Sequence, residues 1–225
     1  NEAVCEGCGD CGVKSNCLSV HPVDTEFGRK TQIHQSSCNK DYSCLLGDCP
    51  SFLTVVPLGE PKKKARTSDT ADRELPEPVL RVPLECGIFM TGIGGTGVVT
   101  VNQILGTAAL LDGKHVHGLD QTGLSQKGGP VVSHLKISNA PWQVSNKVAA
   151  GEADCYLGFD ILVATNPQNL DRARPERTVA IVSTSQVPTG AMVASTELEF
   201  PESNGLISSI NRVTRKDENV YLDAI

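Results

Sequence analysis

Cys5, Cys8 and Cys11 stand three residues apart, and a cysteine set directly before a proline, Cys49–Pro50, closes the same stretch. Of nine cysteines only Cys86 and Cys155 lie outside residues 5–49. Thiolates with two residues between them suit convergence on a metal better than disulfide pairing. An extracellular disulfide scaffold would follow a signal peptide and use an even count, whereas this stretch holds seven cysteines and opens without a basic start and apolar run. Zinc ribbons favour paired Cys-x2-Cys knuckles, so an unbroken triplet points to several irons rather than one zinc.

In bacterial ferredoxins such a triplet takes three corners of a 4Fe–4S cubane, and a Cys-Pro from the far end of the module takes the last. Cys5, Cys8, Cys11 and Cys49 are the expected first set. A second set would need another triplet; the chain offers Cys17, then Cys38, Asp41 and Cys44, with a carboxylate in the middle position. Two readings stand. Cys17, Cys38, Cys44 and Asp41 hold a second 4Fe–4S cluster, or a 3Fe–4S cluster if the Asp41 corner is empty; or the second site has decayed and its cysteines are buried thiols. His21 and His34, near these residues, read as hydrogen-bonding or surface groups rather than ligands. Clusters relay single electrons and make no bonds, so the reaction that supplies the electrons lies elsewhere.

Three stretches follow from composition. Residues 1–56 are the ferredoxin-like module. Residues 57–85 are rich in proline and charge and have no apolar period, as a linker would; the run Lys62–Lys63–Lys64–Arg66 fits a solvated segment. Residues 86–225 read as an α/β domain, doubly wound and Rossmann-like: a strand at Cys86–Met90, a helix at Val98–Leu111 stopped by Asp112–Gly113, and strands at Lys114–Asp120, Val131–Ile137 and Thr178–Ser183. Short apolar segments at Asp154–Leu157 and Ile161–Ala164 read as further strands. Asn166–Pro167–Gln168–Asn169 reads as a turn. The formal charge of -6 argues against nucleic-acid binding, and no window suits a membrane span, so a cytoplasmic enzyme segment is expected. A cysteine motif starting at residue 5 without an initiator Met suggests a piece of a longer chain.

Gly92–Ile93–Gly94–Gly95–Thr96–Gly97 contains GxGxxG between a strand and a helix. Gly92, Gly94, Gly95 and Gly97 would let a cofactor pyrophosphate approach backbone, with Asp120 as a ribose-binding acid, or they would simply permit a tight turn. Ser125–Gln126–Lys127–Gly128–Gly129 is a second polar loop, suited to an anionic cofactor or a partner domain, or to plain surface. Ser183–Thr184–Ser185 has no His/Asp companions for a hydrolase triad. Cys86 and Cys155, in apolar surroundings, read as core thiols.

Taken together these motifs resemble the thiamine-diphosphate-dependent 2-oxoacid:ferredoxin oxidoreductases, closest to the fused indolepyruvate type. The segment Cys44–Leu45–Leu46–Gly47–Asp48–Cys49–Pro50, the glycine turn and the Lys127–Gly128–Gly129 segment carry the resemblance, in the order cluster module, linker, gamma domain. It implies oxidative decarboxylation of an aryl or branched 2-oxoacid to acyl-CoA, with electrons leaving through the clusters to ferredoxin. It also implies thiamine diphosphate and Mg in other domains of the same chain or a partner subunit, coenzyme A as acyl acceptor, and a homo-oligomer. No Gly-Asp-Gly thiamine-diphosphate motif is present; Gly118–Leu119–Asp120 does not substitute. The rivals are an iron–sulfur oxidoreductase with an NAD(P)- or flavin-binding Rossmann domain, and a ferredoxin-like adaptor that only docks electron carriers.

Overall fold

The computed structural model describes residues 1–17, 19–35, 37–56, 58–59, 85–123, 128–141, 144–194 and 198–224. The linker expected over 57–85 therefore lies almost wholly outside the described residues.

The N-terminal module has little apolar core; Val20 is its one fully buried large side chain among the described residues. Short elements with many turns follow from that. Helix α1 (Asp10–Ser15) leads into a hairpin of β1 (Val20–Thr25) and β2 (Gly28–Ile33), paired antiparallel from Val20↔Ile33 to Thr25↔Gly28. A 3-10 turn at Ser43–Gly47 then packs against α1. Gly7 could be nothing else: its φ is +70°, and a Cβ there would lie 2.4 Å from the Arg29 carbonyl oxygen of β2. The first cysteine loop thus lies directly on the hairpin.

The α/β domain runs β3 (Glu85–Ile93), α2 (Val98–Leu111), β4 (His115–Thr122), β5 (Pro130–Ser138), β6 (Cys155–Gly158), α3 (Ile161–Ala164), α4 (Pro167–Leu170), β7 (Val179–Ser183), α5 (Gly190–Ala194), α6 (Ser203–Asn211) and β8 (Val220–Leu222). The six-stranded sheet is ordered β4-β5-β3-β6-β7-β8, with β3, β6, β7 and β8 parallel. Successive side chains of a strand face opposite ways, so each central strand feeds two cores. Phe89 joins Tyr156, Val182, Ile161 and Ile210 on one side; Met90 joins Val98, Val131 and Leu135 on the other. Helices cover both faces, α2 on the Met90 side and α3 with α6 on the Phe89 side.

The arrangement corrects three expectations. Strand β5 is antiparallel to both β3 and β4 and lies between them, so β3, α2 and β4 are not a pair of adjacent parallel strands with a crossover. Too few residues separate Thr122 from Pro130 for the crossover that a parallel pair needs, so β4 and β5 pair antiparallel. Ile161–Ala164 is helical rather than a strand, because Asp160 caps it, accepting a hydrogen bond from the Val163 amide at 2.8 Å. Pro167–Leu170 likewise forms a helical turn in place of a simple loop, with Asn166 accepting from the Gln168 amide at 3.0 Å and Pro167 at the first helical position. Among the described residues no helix is long and apolar enough to cross a membrane.

Candidate functional site

Folding gathers the cysteines of the N-terminal module into two groups. Cys5, Cys8, Cys11 and Cys49 all line one cavity of about 630 Å³, walled also by Thr31, Ile33 and Phe52. Burial pushes the Cys11 thiol up, and the nearby Cys8, Cys49 and Cys5 add to the shift. Cys44 is raised by burial and then by Cys17, Cys38 and Asp41. The two quartets read from spacing are therefore the two sets of electrostatic neighbours. No disulfide joins any of these sulfurs. Among the described residues no three His, Cys, Asp or Glu side chains converge tightly enough for a single metal ion. A cubane places a different demand, since each thiolate binds its own iron and the four donors surround a space rather than meet at a point. Soft sulfur donors around a cavity meet that demand.

His21 and His34 sit opposite each other in the hairpin region with rings stacked 5.1 Å apart and only 6° from parallel. His34 Nδ1 shares a hydrogen bond with Ser37 Oγ at 2.9 Å, and Ser37 Oγ donates to Ser19 Oγ at 3.0 Å. Both histidines face a cavity of about 1050 Å³ between the module and the sheet, also lined by Cys17. Its other wall is made by the carboxyl ends of the parallel strands, at Ile93, Gly158, Ser183 and Leu222, and by Gly94, Gly95 and Thr96. Open α/β sheets bind ligands at this edge. Arg29 of β2 ties the module down across the gap, donating from Nη1 to the Leu198 carbonyl at 2.8 Å and from Nη2 to that of Met192 at 3.3 Å.

The glycine turn is explained by packing and backbone geometry. A Cβ on Gly92 would lie 2.9 Å from both Phe159 Cβ and Val98 Cγ2. Gly95 and Gly97 have φ of 102° and 87°, the left-handed region that favours glycine. The Gly94 amide donates to the Gly129 carbonyl at 2.8 Å, joining the turn to the second glycine-rich loop. Of the four glycines only Gly94 and Gly95 line the large cavity. Asp120 stands two strands from β3, where it accepts hydrogen bonds from Asn102 Nδ2 and Ser133 Oγ. It is engaged with α2 and β5 and does not sit beside the turn as a ribose-binding acid would. Ser125, Gln126 and Lys127 lie outside the described residues.

Two buried groups escaped the sequence reading. His134, 1% exposed, accepts the Val148 amide at Nδ1 (3.1 Å), which leaves Nε2 to donate to Gln121 Oε1 (3.2 Å). Burial first, then Lys147, Arg172 and Lys136, bring its pKa down to about 4. Asp160 is 1% exposed and lines a cavity of about 290 Å³ beside Gly128; burial raises its carboxyl, and among the described residues Oδ2 has no hydrogen-bond partner. An Asp before a short apolar run is a legible capping signal, but its burial is not. Cys86 and Cys155, on adjacent strands, have thiols pushed up by burial to about 11 and about 12, and neither joins the two quartets.

Known proteins place this architecture. An indolepyruvate oxidoreductase subunit, IorB, from Archaeoglobus fulgidus is 25% identical over 134 residues, covering 58% of this chain and 62% of the relative. The IorB subunit of Methanothermobacter thermautotrophicus is 28% identical over 126 residues, covering 55% and 59%. This chain thus spans about three fifths of the curated relatives it matches. Among solved structures, the pyruvate oxidoreductase subunit of Thermotoga maritima aligns with a TM-score of 0.37 at 20% identity, covering 49% of this chain and 55% of that one. The model of the pyruvate ferredoxin/flavodoxin oxidoreductase family matches residues 87–222, from the first residues of β3 to the end of β8. With its central sheet and both helical layers inside that match, the chain belongs to the pyruvate ferredoxin/flavodoxin oxidoreductase family.

Proposed function

We infer that this chain is the electron-transfer and gamma segment of an oxidoreductase that converts aryl or branched 2-oxoacids to acyl-CoA and delivers the electrons to ferredoxin. The observation that carries the reading is the cavity lined by Cys5, Cys8, Cys11 and Cys49 in a chain whose α/β domain belongs to this family. These four side chains would hold a 4Fe–4S cluster, with the Gly7 amide, 3.4 Å from Cys5 Sγ, donating to a ligand sulfur. When bound, the cluster supplies a one-electron store, while thiamine diphosphate with Mg, held by other domains of the longer chain or by a partner subunit, supplies the carbanion chemistry.

The residues of this chain then do the positioning. Arg29 and the hairpin hold the cysteine module over the carboxyl ends of the sheet, and the Gly94 amide ties to the same edge the carbonyl of Gly129, which follows the Ser125–Gln126–Lys127 loop in sequence. In this reading that loop meets an anionic cofactor or the thiamine domain, and coenzyme A is the acyl acceptor. The engaged position of Asp120 favours this over an NAD(P)- or flavin-binding domain. The assembled enzyme is a cytoplasmic homo-oligomer in this proposal.

The experiment is anaerobic purification of the full-length protein, with metal analysis and reduction of ferredoxin by 2-oxoacids in the presence of coenzyme A. Brown, iron- and sulfide-containing protein that reduces ferredoxin with an aryl or branched 2-oxoacid is expected. Colourless protein, bound zinc or paired sulfurs would remove the electron outlet and the reading with it.

A further inference from the structure

The cysteine module is the same device built twice. Gly7 and Gly9 flank Cys8 in left-handed conformation, with φ of 70° and 73°; Lys40 and Tyr42 flank Asp41 in the same conformation, both at 58°. The Gly7 amide donates to Cys5 Sγ at 3.4 Å, and the Lys40 amide donates to Cys38 Sγ at 3.4 Å. A helical turn starts one residue before Cys11 and one before Cys44. Each turn ends on a left-handed residue, Asn16 at 44° and Asp48 at 50°, and the next residue is in each case a cysteine, Cys17 or Cys49. Asp41 therefore stands where Cys8 stands in the first copy.

The second copy has kept the costly part of this geometry. Glycine adopts left-handed backbone freely, but Lys40 and Tyr42 have a Cβ that resists it. A loop that held nothing would relax from two such residues in three; a strained backbone retained in full is a mark of function. The carboxylate between them is also held in place. Asp41 Oδ1 accepts from the Ser43 amide at 3.1 Å and from Ser43 Oγ at 2.8 Å. The partition of neighbours is the crossed one of two-cluster ferredoxins, in which the cysteine after each triplet serves the other cluster: Cys17 lies with Cys38, Cys44 and Asp41, and Cys49 with the first triplet.

We propose that Cys17, Cys38, Cys44 and Asp41 hold a second iron–sulfur cluster whose Asp41 corner binds its iron reversibly. This rests on the reading of the module as an iron–sulfur carrier. A carboxylate oxygen is a harder and weaker partner for cluster iron than a thiolate, and Asp41 is exposed at the surface. The exchange balances simply. A neutral 3Fe–4S core takes up Fe2+ to give a 4Fe–4S core of charge 2+, forming iron–sulfide bonds and one iron–carboxylate bond. Removal of one electron by an added oxidant such as ferricyanide releases Fe2+ and leaves 3Fe–4S of charge 1+.

The test uses the full-length protein purified without oxygen, read by iron and sulfide analysis and by EPR. About seven to eight irons per chain are expected, with a three-iron EPR signal that appears on mild oxidation and disappears on reduction with added Fe2+. Asp41→Cys is expected to abolish the oxidised three-iron signal by locking the fourth iron in. Asp41→Ala is expected to retain the three-iron signal and lose the uptake of Fe2+. About four irons per chain with no three-iron signal, unchanged in both variants, would overturn the second site while leaving the first cluster standing. Protein without iron would overturn the parent reading instead.

Discussion

His134 shows how one buried group sets a pH limit on this fold. Its Nδ1 must stay unprotonated to accept the Val148 amide, and its folded pKa of about 4 lies below the ordinary histidine value of 6.5. The unfolded chain therefore binds the proton first as pH falls. Stability from this residue is complete above pH 6.5, declines between there and about 4, and falls no further below that. The total is about 3 kcal/mol. We predict that His134→Gln, which can still accept the amide but does not titrate, flattens the dependence of the urea midpoint over that window. An unchanged slope would assign the acid sensitivity to other groups. A second residue-scale prediction concerns Arg177, whose Nε and Nη2 donate to the two carboxylate oxygens of Asp154 at 2.6 and 2.8 Å, while Asp154 Oδ2 also accepts the Gly87 amide at 2.7 Å. Removing the guanidinium leaves a half-buried carboxylate with one partner fewer. Arg177→Ala should cost about 1–3 kcal/mol, read as a lower thermal midpoint; no change would mean that water replaces the guanidinium without loss.

At the scale of elements, the glycine turn separates packing from ligand binding. Gly92 lies where a Cβ would press on Phe159 and Val98, whereas a Cβ on Gly94 meets only Gly128 N at 3.7 Å and Gly129 O at 3.8 Å. Gly92→Ala should destabilise the junction of β3 with α2 by about 1–3 kcal/mol, and Gly94→Ala should be nearly neutral in a thermal melt. Equal effects would show that the turn relaxes around a methyl group. Much of this region was legible from sequence. The period of Val98, Val101, Ile104, Leu105, Ala108 and Leu111 predicted α2 with the bounds it has, and Gly113, at φ 72°, ends it as a left-handed cap. Strands β4 and β5 lie within two residues of their expected ends. Helix α3 reads as a strand in the sequence because four apolar residues carry no period, which leaves the Asp160 cap as the one local signal of its conformation.

For the whole molecule, the decisive relation is that of the cysteine module to the sheet. Arg29 reaches across it, and the cavity of about 1050 Å³ lies between Cys17, the stacked histidines and the carboxyl ends of the strands. Arg29→Ala should loosen this contact and raise amide exchange in the hairpin of β1 and β2, with the exchange of β6 and β7 unaltered. Equal protection in wild type and variant would place the restraint elsewhere.

The sequence by itself set Cys5, Cys8, Cys11 and Cys49 apart from Cys17, Cys38, Asp41 and Cys44 and gave the chain its α/β texture, because spacing along a short loop limits which side chains can lie together and periodicity decides which residues are apolar on one face. It also carried a resemblance to 2-oxoacid:ferredoxin oxidoreductases, of which the match over residues 87–222 shows membership of the pyruvate ferredoxin/flavodoxin oxidoreductase family. Tertiary structure alone decided that β5 runs between β3 and β4, that Asp120 is occupied by Asn102 and Ser133, and that the residues flanking Asp41 repeat the left-handed backbone of those flanking Cys8. Strand order, side-chain partners and left-handed backbone depend on contacts between residues distant in the chain or on dihedral angles, and neither is written in the local pattern of residue types.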